Sequence, residues 1–271
     1  AVASIGETIL CTGVFDKLAP TIHRCWIYPS AHGAMNLSNA IANSCNSYFY
    51  EVGYRLSQDG TGYNSDYGLS RLKKYADLFG LTEKSGVEIM EAEPEFSNLY
   101  AVPSYIGQGT HNYTTVGLAR YVTTVANSGT CYNLSILDKL TDSKGNVIED
   151  YTPEVRNTVD LDNSLWNAIH SGMRQVVEKK KYYDDLAVHV AGKTGTAQQD
   201  KTRANHALFV SYAPYEDPEI SVSVRIANGY SSDYAAQTAR DVYKYYYGLA
   251  KEEELVTGTA DTLDATAGTG D

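Results

Sequence analysis

Between Asn36 and Ser57 the apolar positions recur at helical spacing and break once. Leu37, Ala40 and Ile41 share one face, and Asn36 just before them has the short acceptor side chain of an N-cap. The small polar run Ser44-Cys45-Asn46 interrupts the pattern, and Phe49, Val52 and Leu56 resume it on a second helix. Asp66 to Phe79 carries Leu69, Leu72, Ala76 and Phe79 at helical spacing, and Gly80 follows where a left-handed C-cap wants glycine. Thr114 to Ser128 repeats the pattern with Leu118, Tyr121, Val122 and Val125, and Gly129 ends it. Leu161 to Glu178 does so with Leu165, Ile169, Met173 and Val176.

The period then changes. Val188-His189-Val190 leads into Gly192-Lys193-Thr194-Gly195-Thr196. His206 to Ala213 and Ile220 to Ile226 read as strands, joined through Pro214 to Pro218 by a hairpin-type connection. Asp233 to Tyr247 returns to helix. Helices first, then adjacent antiparallel strands, then a closing helix predict an α+β domain over residues 1–248, without the regular alternation of a doubly wound sheet. From about 249 to Asp271 the chain is acidic, rich in Thr, Ala and Gly and poor in large apolar groups, which predicts a disordered tail.

Composition narrows the function. The chain has 271 residues, 43% of them apolar, enough for a sizeable core. Its net charge is −11, from 22 basic and 33 acidic residues, which argues against a nucleic-acid partner. The longest basic run, Lys179-Lys180-Lys181, reads as a solvated helix end. No apolar run is long enough to cross a bilayer, and the 23 tyrosines are scattered rather than arranged as a stacking platform. The first residue is Ala1 rather than Met, as in a processed or partial chain.

Two short motifs carry chemistry: Ser44-Cys45-Asn46 at the helix break, and Lys193-Thr194-Gly195-Thr196 at a strand entry. Each alone is weak; in this order, with an S-x-x-K, they mark penicillin-binding proteins and class A β-lactamases. The chain resembles class B penicillin-binding proteins, the elongation-type branch above all, from Ser4 to about Tyr247. The resemblance is carried by Arg24-Cys25-Trp26, His32-Gly33, Ser44 to Tyr50, Ile106-Gly107-Gln108-Gly109, Ala191 to Gln198 and His206 to Pro214. It implies the β-lactamase/transpeptidase-like fold, an antiparallel sheet packed by helices with a helical subdomain. It also implies D,D-transpeptidase chemistry on stem peptides ending in D-Ala-D-Ala, with β-lactams as inhibitors and a cell-wall glycosyltransferase as partner. The implied location is the extracytoplasmic face of the membrane, with the anchor upstream. Ser44 would relay a proton to the leaving amine, and Asn46 would hold the substrate amide and the catalytic lysine. Lys193, Thr194 and Thr196 would take the terminal carboxylate, while Gly195 lets the peptide lie against the strand. The Thr196 N–H would be an oxyanion donor.

The family's nucleophilic serine precedes the S-x-N motif, one helical turn ahead of its lysine. The sole S-x-x-K here, Ser70-Arg71-Leu72-Lys73, follows Ser44 and falls on the polar side of an amphipathic helix. The expectation is therefore a domain truncated at its N-terminus, whose nucleophile helix and first two strands lie upstream of Ala1, and which is inactive alone. A non-catalytic penicillin-binding scaffold is the alternative. A D,D-carboxypeptidase or serine β-lactamase is a further one, against which stand only 43 residues ahead of Ser44.

Cys11, Cys25, His32 and Cys45 form the pattern C-x13-C-x6-H-x12-C, and Cys45 lies inside the S-x-N motif. Three Cys and one His suit a structural zinc, although the reaction itself requires no cofactor. A Cys11–Cys25 disulfide and inert buried thiols are the other readings. His206 reads as a packed strand residue rather than a ligand.

Overall fold

The computed structural model describes residues 3–197 and 202–256. Four short strands come first: β1 (Ile9–Cys11), β2 (Val14–Leu18), β3 (Thr21–Arg24) and β4 (Gly33–Met35). Helices α1 (Leu37–Ala42), α2 (Asn46–Leu56), α3 (Ser65–Leu78), α4 (Ala101–Ser104) and α5 (Thr115–Ala126) follow. Then come β5 (Thr130–Asn133), β6 (Lys139–Thr141), β7 (Val147–Asp150) and β8 (Glu154–Thr158). The last part holds α6 (Asn163–Glu178), β9 (Ala191–Ala197), β10 (His206–Ala213), β11 (Ile220–Ile226), α7 (Ser232–Tyr246) and the single turn α8 (Glu252–Leu255).

The central sheet is antiparallel, in the order β11-β10-β9. Strand β10 is apolar along most of its length because helices cover both of its faces. Ala207, Phe209 and Ala213 pack with Ala235, Ala236, Ala239 and Tyr243 of α7. Val210 and Tyr212, on the opposite face, meet Val122, Val125 and Met173 of α5 and α6. Period-2 alternation along the strand sends these two sets to opposite layers. The remaining strands form separate pairs: β1 with β4, β2 with β3, β5 with β8 and β6 with β7.

The expected helices are present, shifted by one or two residues. Asn36 caps α1 by accepting from the Asn39 N–H at 2.9 Å. Asn64 caps α3 by accepting from the Tyr67 N–H at 3.1 Å. Gly80 takes the left-handed C-terminal position, with φ +71°. Two expectations change. The stretch expected as a tail starts with the helical turn Glu252–Leu255, and its remainder beyond 256 lies outside the described residues. The lysine run at the end of α6 is not simply solvated: Lys180 pairs with Asp233 at 2.5 Å, and Lys179 reaches the end of α1.

Candidate functional site

The break between α1 and α2 is a tight turn. Ser44 has φ +48°, a left-handed conformation costly for a residue with a Cβ. The Cys45 N–H closes the turn onto Ala40 O at 2.9 Å, and Asn46 opens α2. Strand β9 lies at the sheet edge, and β10 is its one partner among the described residues. Its lysine reaches across to the turn: Lys193 Nζ donates to Ser44 Oγ and to Thr194 O at 2.8 Å. Residues 149 positions apart thus meet, as the motif pairing requires. Since Ser44 Oγ accepts from an ammonium, its own O–H is left for another acceptor.

Both motifs face one cavity of about 820 Å³. Ser44, Asn46, Lys193, Thr194, Gly195 and Thr196 line its polar side, with Gly107 and Gln108 on the facing loop. Ile41, Phe79, Tyr121, Trp166, Ile169 and Met173 line its apolar side. The two glycines of β9 have different reasons. A Cβ on Gly192 would come 2.4 Å from Phe209 Cζ, so packing demands glycine there. A Cβ on Gly195 would make only ordinary contact, 3.4 Å to Leu208 Cβ. Packing within the domain leaves room for a methyl at Gly195.

Ser70 and Lys73 are not part of this site. Both are exposed on α3, where Ser70 Oγ donates to Tyr67 O at 2.7 Å and Lys73 pairs with Asp77 at 2.8 Å. Neither lines the cavity.

Cys11, Cys25, His32 and Cys45 converge. The β1–β4 pair and the β2–β3 hairpin bring three of them together, and the α1–α2 turn supplies Cys45. Their ligand atoms all lie within 4.8 Å of one another. His32 Nδ1 stands 3.6 Å from Cys11 Sγ and 3.5 Å from Cys25 Sγ. Two ligands of a tetrahedral zinc, at the usual bond lengths, lie about 3.6 Å apart for an S–N pair. All four cysteines are free thiols, and the fourth, Cys131, is not in this group. The Cys45 thiol donates toward Cys25, and the N–H groups of Ser47, Ile27 and Asn46 also face that sulfur; together they hold the Cys25 thiol well below its ordinary range. Cys45 is pushed up by the same contact and by burial. One feature of many histidine–metal sites is missing: His32 Nε2 is buried and meets no partner among the described residues. The residues therefore fit a four-ligand, closed structural site, with an incomplete outer layer. His206 is not near this cluster; its Nδ1 accepts from the Asn228 N–H at 3.0 Å.

In sequence, Lys179 reads only as part of a solvated helix end, Trp26 only as part of a resembling block, and Asn43 carries no signal. They brace the turn that carries Ser44. Gly107 and Gln108 were marked only as part of a resembling block, with no role assigned.

A two-motif cleft beside the edge strand of a helix-covered antiparallel sheet defines the fold class of serine transpeptidases and β-lactamases. The Penicillin binding protein transpeptidase domain family matches residues 16–244. The chain belongs to this family, in its class B branch. It is 28% identical to the peptidoglycan D,D-transpeptidase MrdA of Haemophilus influenzae, over 91% of this chain and 42% of that protein. It is 26% identical to penicillin-binding protein 2B of Streptococcus pneumoniae, over 86% of this chain and 38% of that protein. The solved structure of penicillin-binding protein 2B from Streptococcus pneumoniae strain R6 superposes with a TM-score of 0.78 at 22% identity, covering 93% of this chain and 46% of that one. The chain thus spans less than half the length of these relatives.

Proposed function

We propose that this chain is the substrate-binding and proton-relay part of a peptidoglycan D,D-transpeptidase. The observation that carries the reading is the Lys193 ammonium on the Ser44 hydroxyl, at a cavity flanked by the edge of β9. A stem peptide would add as a strand along β9, its terminal carboxylate meeting Lys193, Thr194 and Thr196. A serine nucleophile outside this chain gives its proton to the lysine one helical turn after it and attacks the penultimate D-Ala carbonyl, and the Thr196 N–H donates to the developing oxyanion. As the C–N bond breaks, Ser44 gives its proton to the departing D-Ala amine and takes one back from the lysine that received the nucleophile's proton, while the Lys193 ammonium holds the Ser44 oxygen. Asn46 holds the substrate amide. The resulting acyl-enzyme is then resolved by an acceptor amine.

The nucleophile belongs to a helix outside these 271 residues. The apolar side of the cavity, with Ile41, Phe79, Trp166 and Met173, has the chemistry to receive an amphipathic helix that turns its serine toward Ser44. The implied setting is the outer face of the cell membrane, with a glycosyltransferase partner; the solved relatives include a chain from a peptidoglycan synthase complex. Zinc at Cys11, Cys25, His32 and Cys45 would supply structure, not reaction chemistry.

Labelled penicillin tests the reading. The full-length protein is expected to form a covalent adduct, and Ser44→Ala to slow its formation by about 10²–10⁴-fold. The 271-residue chain alone is expected to stay unlabelled. An unlabelled full-length protein would leave a non-catalytic binding module as the answer. Stoichiometric labelling of the 271-residue chain would remove the external nucleophile.

A further inference from the structure

Ser44 is held by more than its own motif. Asn43, the residue before it, uses every one of its polar groups. Its backbone N–H and its side-chain Nδ2 both donate to Asn39 O, at 3.0 and 2.8 Å. Its carbonyl accepts from the Trp26 indole N–H at 3.0 Å. Its Oδ1 accepts from Lys179 Nζ at 2.7 Å, and the same ammonium donates to Ala42 O at 2.9 Å.

Lys179 comes from the end of α6, 136 positions away. Its place is set by a close helix crossing. A Cβ on Gly172 would stand 2.8 Å from both Ile41 Cβ and Ser38 O, so α6 and α1 approach as nearly as glycine permits. Ser38 Oγ also donates to Ala168 O at 2.8 Å. The ammonium therefore arrives at the C-terminal carbonyls of α1, where a cation is favoured. Trp26, from the segment after β3, leans edge-on against His32, ring centroids 5.5 Å apart. A left-handed Ser44 persists only where its surroundings over-determine it. Lys179 and Trp26 supply two such constraints, both acting on Asn43.

We infer that Lys179 is a positioning residue for Ser44: with Trp26 it clamps Asn43 so that the Ser44 hydroxyl meets the Lys193 ammonium. The inference rests on the role proposed above for Ser44. Lys179 itself touches no substrate in this scheme and does not line the cavity.

The test uses the full-length protein with labelled penicillin, resolving acylation into a binding constant and a first-order acylation constant. Lys179→Met keeps the aliphatic stem and removes the donors. It is expected to lower the acylation constant by about 10–100-fold, the scale of an ångström-sized misplacement, and to leave the binding constant within about threefold. Lys179→Arg, which can still donate to both acceptors, is expected to recover most of the loss. Trp26→Phe is expected to act in the same direction and less than additively with Lys179→Met, since both work through Asn43. Wild-type acylation in Lys179→Met, or a loss confined to binding, overturns the clamp. A wild type that never labels overturns the transpeptidase reading instead. In that case, amide exchange at Ser44 and Cys45 decides the clamp separately. Faster exchange in Lys179→Met supports it, and unchanged exchange sinks it.

Discussion

Zinc at the cysteine–histidine cluster gives a sharp prediction that needs no activity. Three thiols and one imidazole already stand at ligand distances, with Nδ1 to sulfur separations of 3.5 and 3.6 Å. Little rearrangement is needed, so binding energy goes into stabilising the fold. Structural zinc in small domains binds with about 12 kcal/mol, a dissociation constant of about 1 nM. At about 1 µM free zinc, some thousandfold above that, the folded state gains about 4 kcal/mol. A domain of this size shifts its midpoint by about 2 °C per kcal/mol, so the expected difference is about 8 °C between zinc-loaded and chelator-treated protein. The assay is thermal unfolding of the full-length protein with zinc or with chelator, beside metal analysis and a thiol titration. Cys25→Ser should abolish the shift. Equal midpoints with four titratable thiols would mean inert buried thiols. Two titratable thiols, with Cys11 and Cys25 protected, would mean a disulfide. Either result refutes the metal reading.

Gly192→Ala is expected to destabilise the fold by about 1–3 kcal/mol in denaturant unfolding, because its methyl would run into Phe209. Gly195→Ala is expected to leave stability within about 0.5 kcal/mol and to weaken penicillin capture, so a matched loss of stability in both would refute the assigned difference. Ser70→Ala is expected to leave adduct formation by the full-length protein unchanged, since Ser70 lies on the exposed face of α3; loss of the adduct would make it the nucleophile. Burial lowers the pKa of His23, His111 and His170 below the ordinary imidazole value of 6.5. Each is then neutral in the fold and binds its proton more readily when unfolded. Their stability contribution is complete above about pH 6.5 and shrinks as pH falls below it. A thermal midpoint that stays flat from pH 7.5 to 5.5 would contradict this.

The elements readable from sequence were those whose apolar period survives local noise. The run Leu69, Leu72, Ala76 and Phe79 places α3, and the change of period at Gly192 places β9 and β10. Strands β1 to β8 escaped for a physical reason. They are three to five residues long and form two-stranded pairs. The pair β6–β7 is exposed at every position, so it has no buried face to impose alternation. The motifs Ser44-Cys45-Asn46 and Lys193 to Thr196 were readable because their order and residue types match a family pattern that does not depend on packing period. The cluster Cys11, Cys25, His32 and Cys45 was readable as ligand types, and only folding could show the four atoms converging. Lys179 reads in sequence as a solvated helix end, since nothing local to it points to Asn43.

These contacts place Ser44 at the junction of two supports from different elements. From one side comes the cluster, through Cys45, which follows Ser44 directly and has its sulfur turned toward Cys25. From the other comes α6, through Lys179 and Asn43, which precedes Ser44. Trp26 joins the two, since its indole N–H holds the Asn43 carbonyl while its ring meets His32. A serine in a left-handed turn between two helices would relax if only one neighbour were fixed. Fixing both neighbours, by different elements, leaves the Ser44 hydroxyl one small set of directions, and Lys193 occupies one of them. That arrangement separates two kinds of damage. Loss of the cysteine–histidine cluster should loosen Ser44 together with the β1–β4 region that carries Cys11. Loss of the Lys179 ammonium should loosen Ser44 while the cluster stays assembled and still binds zinc.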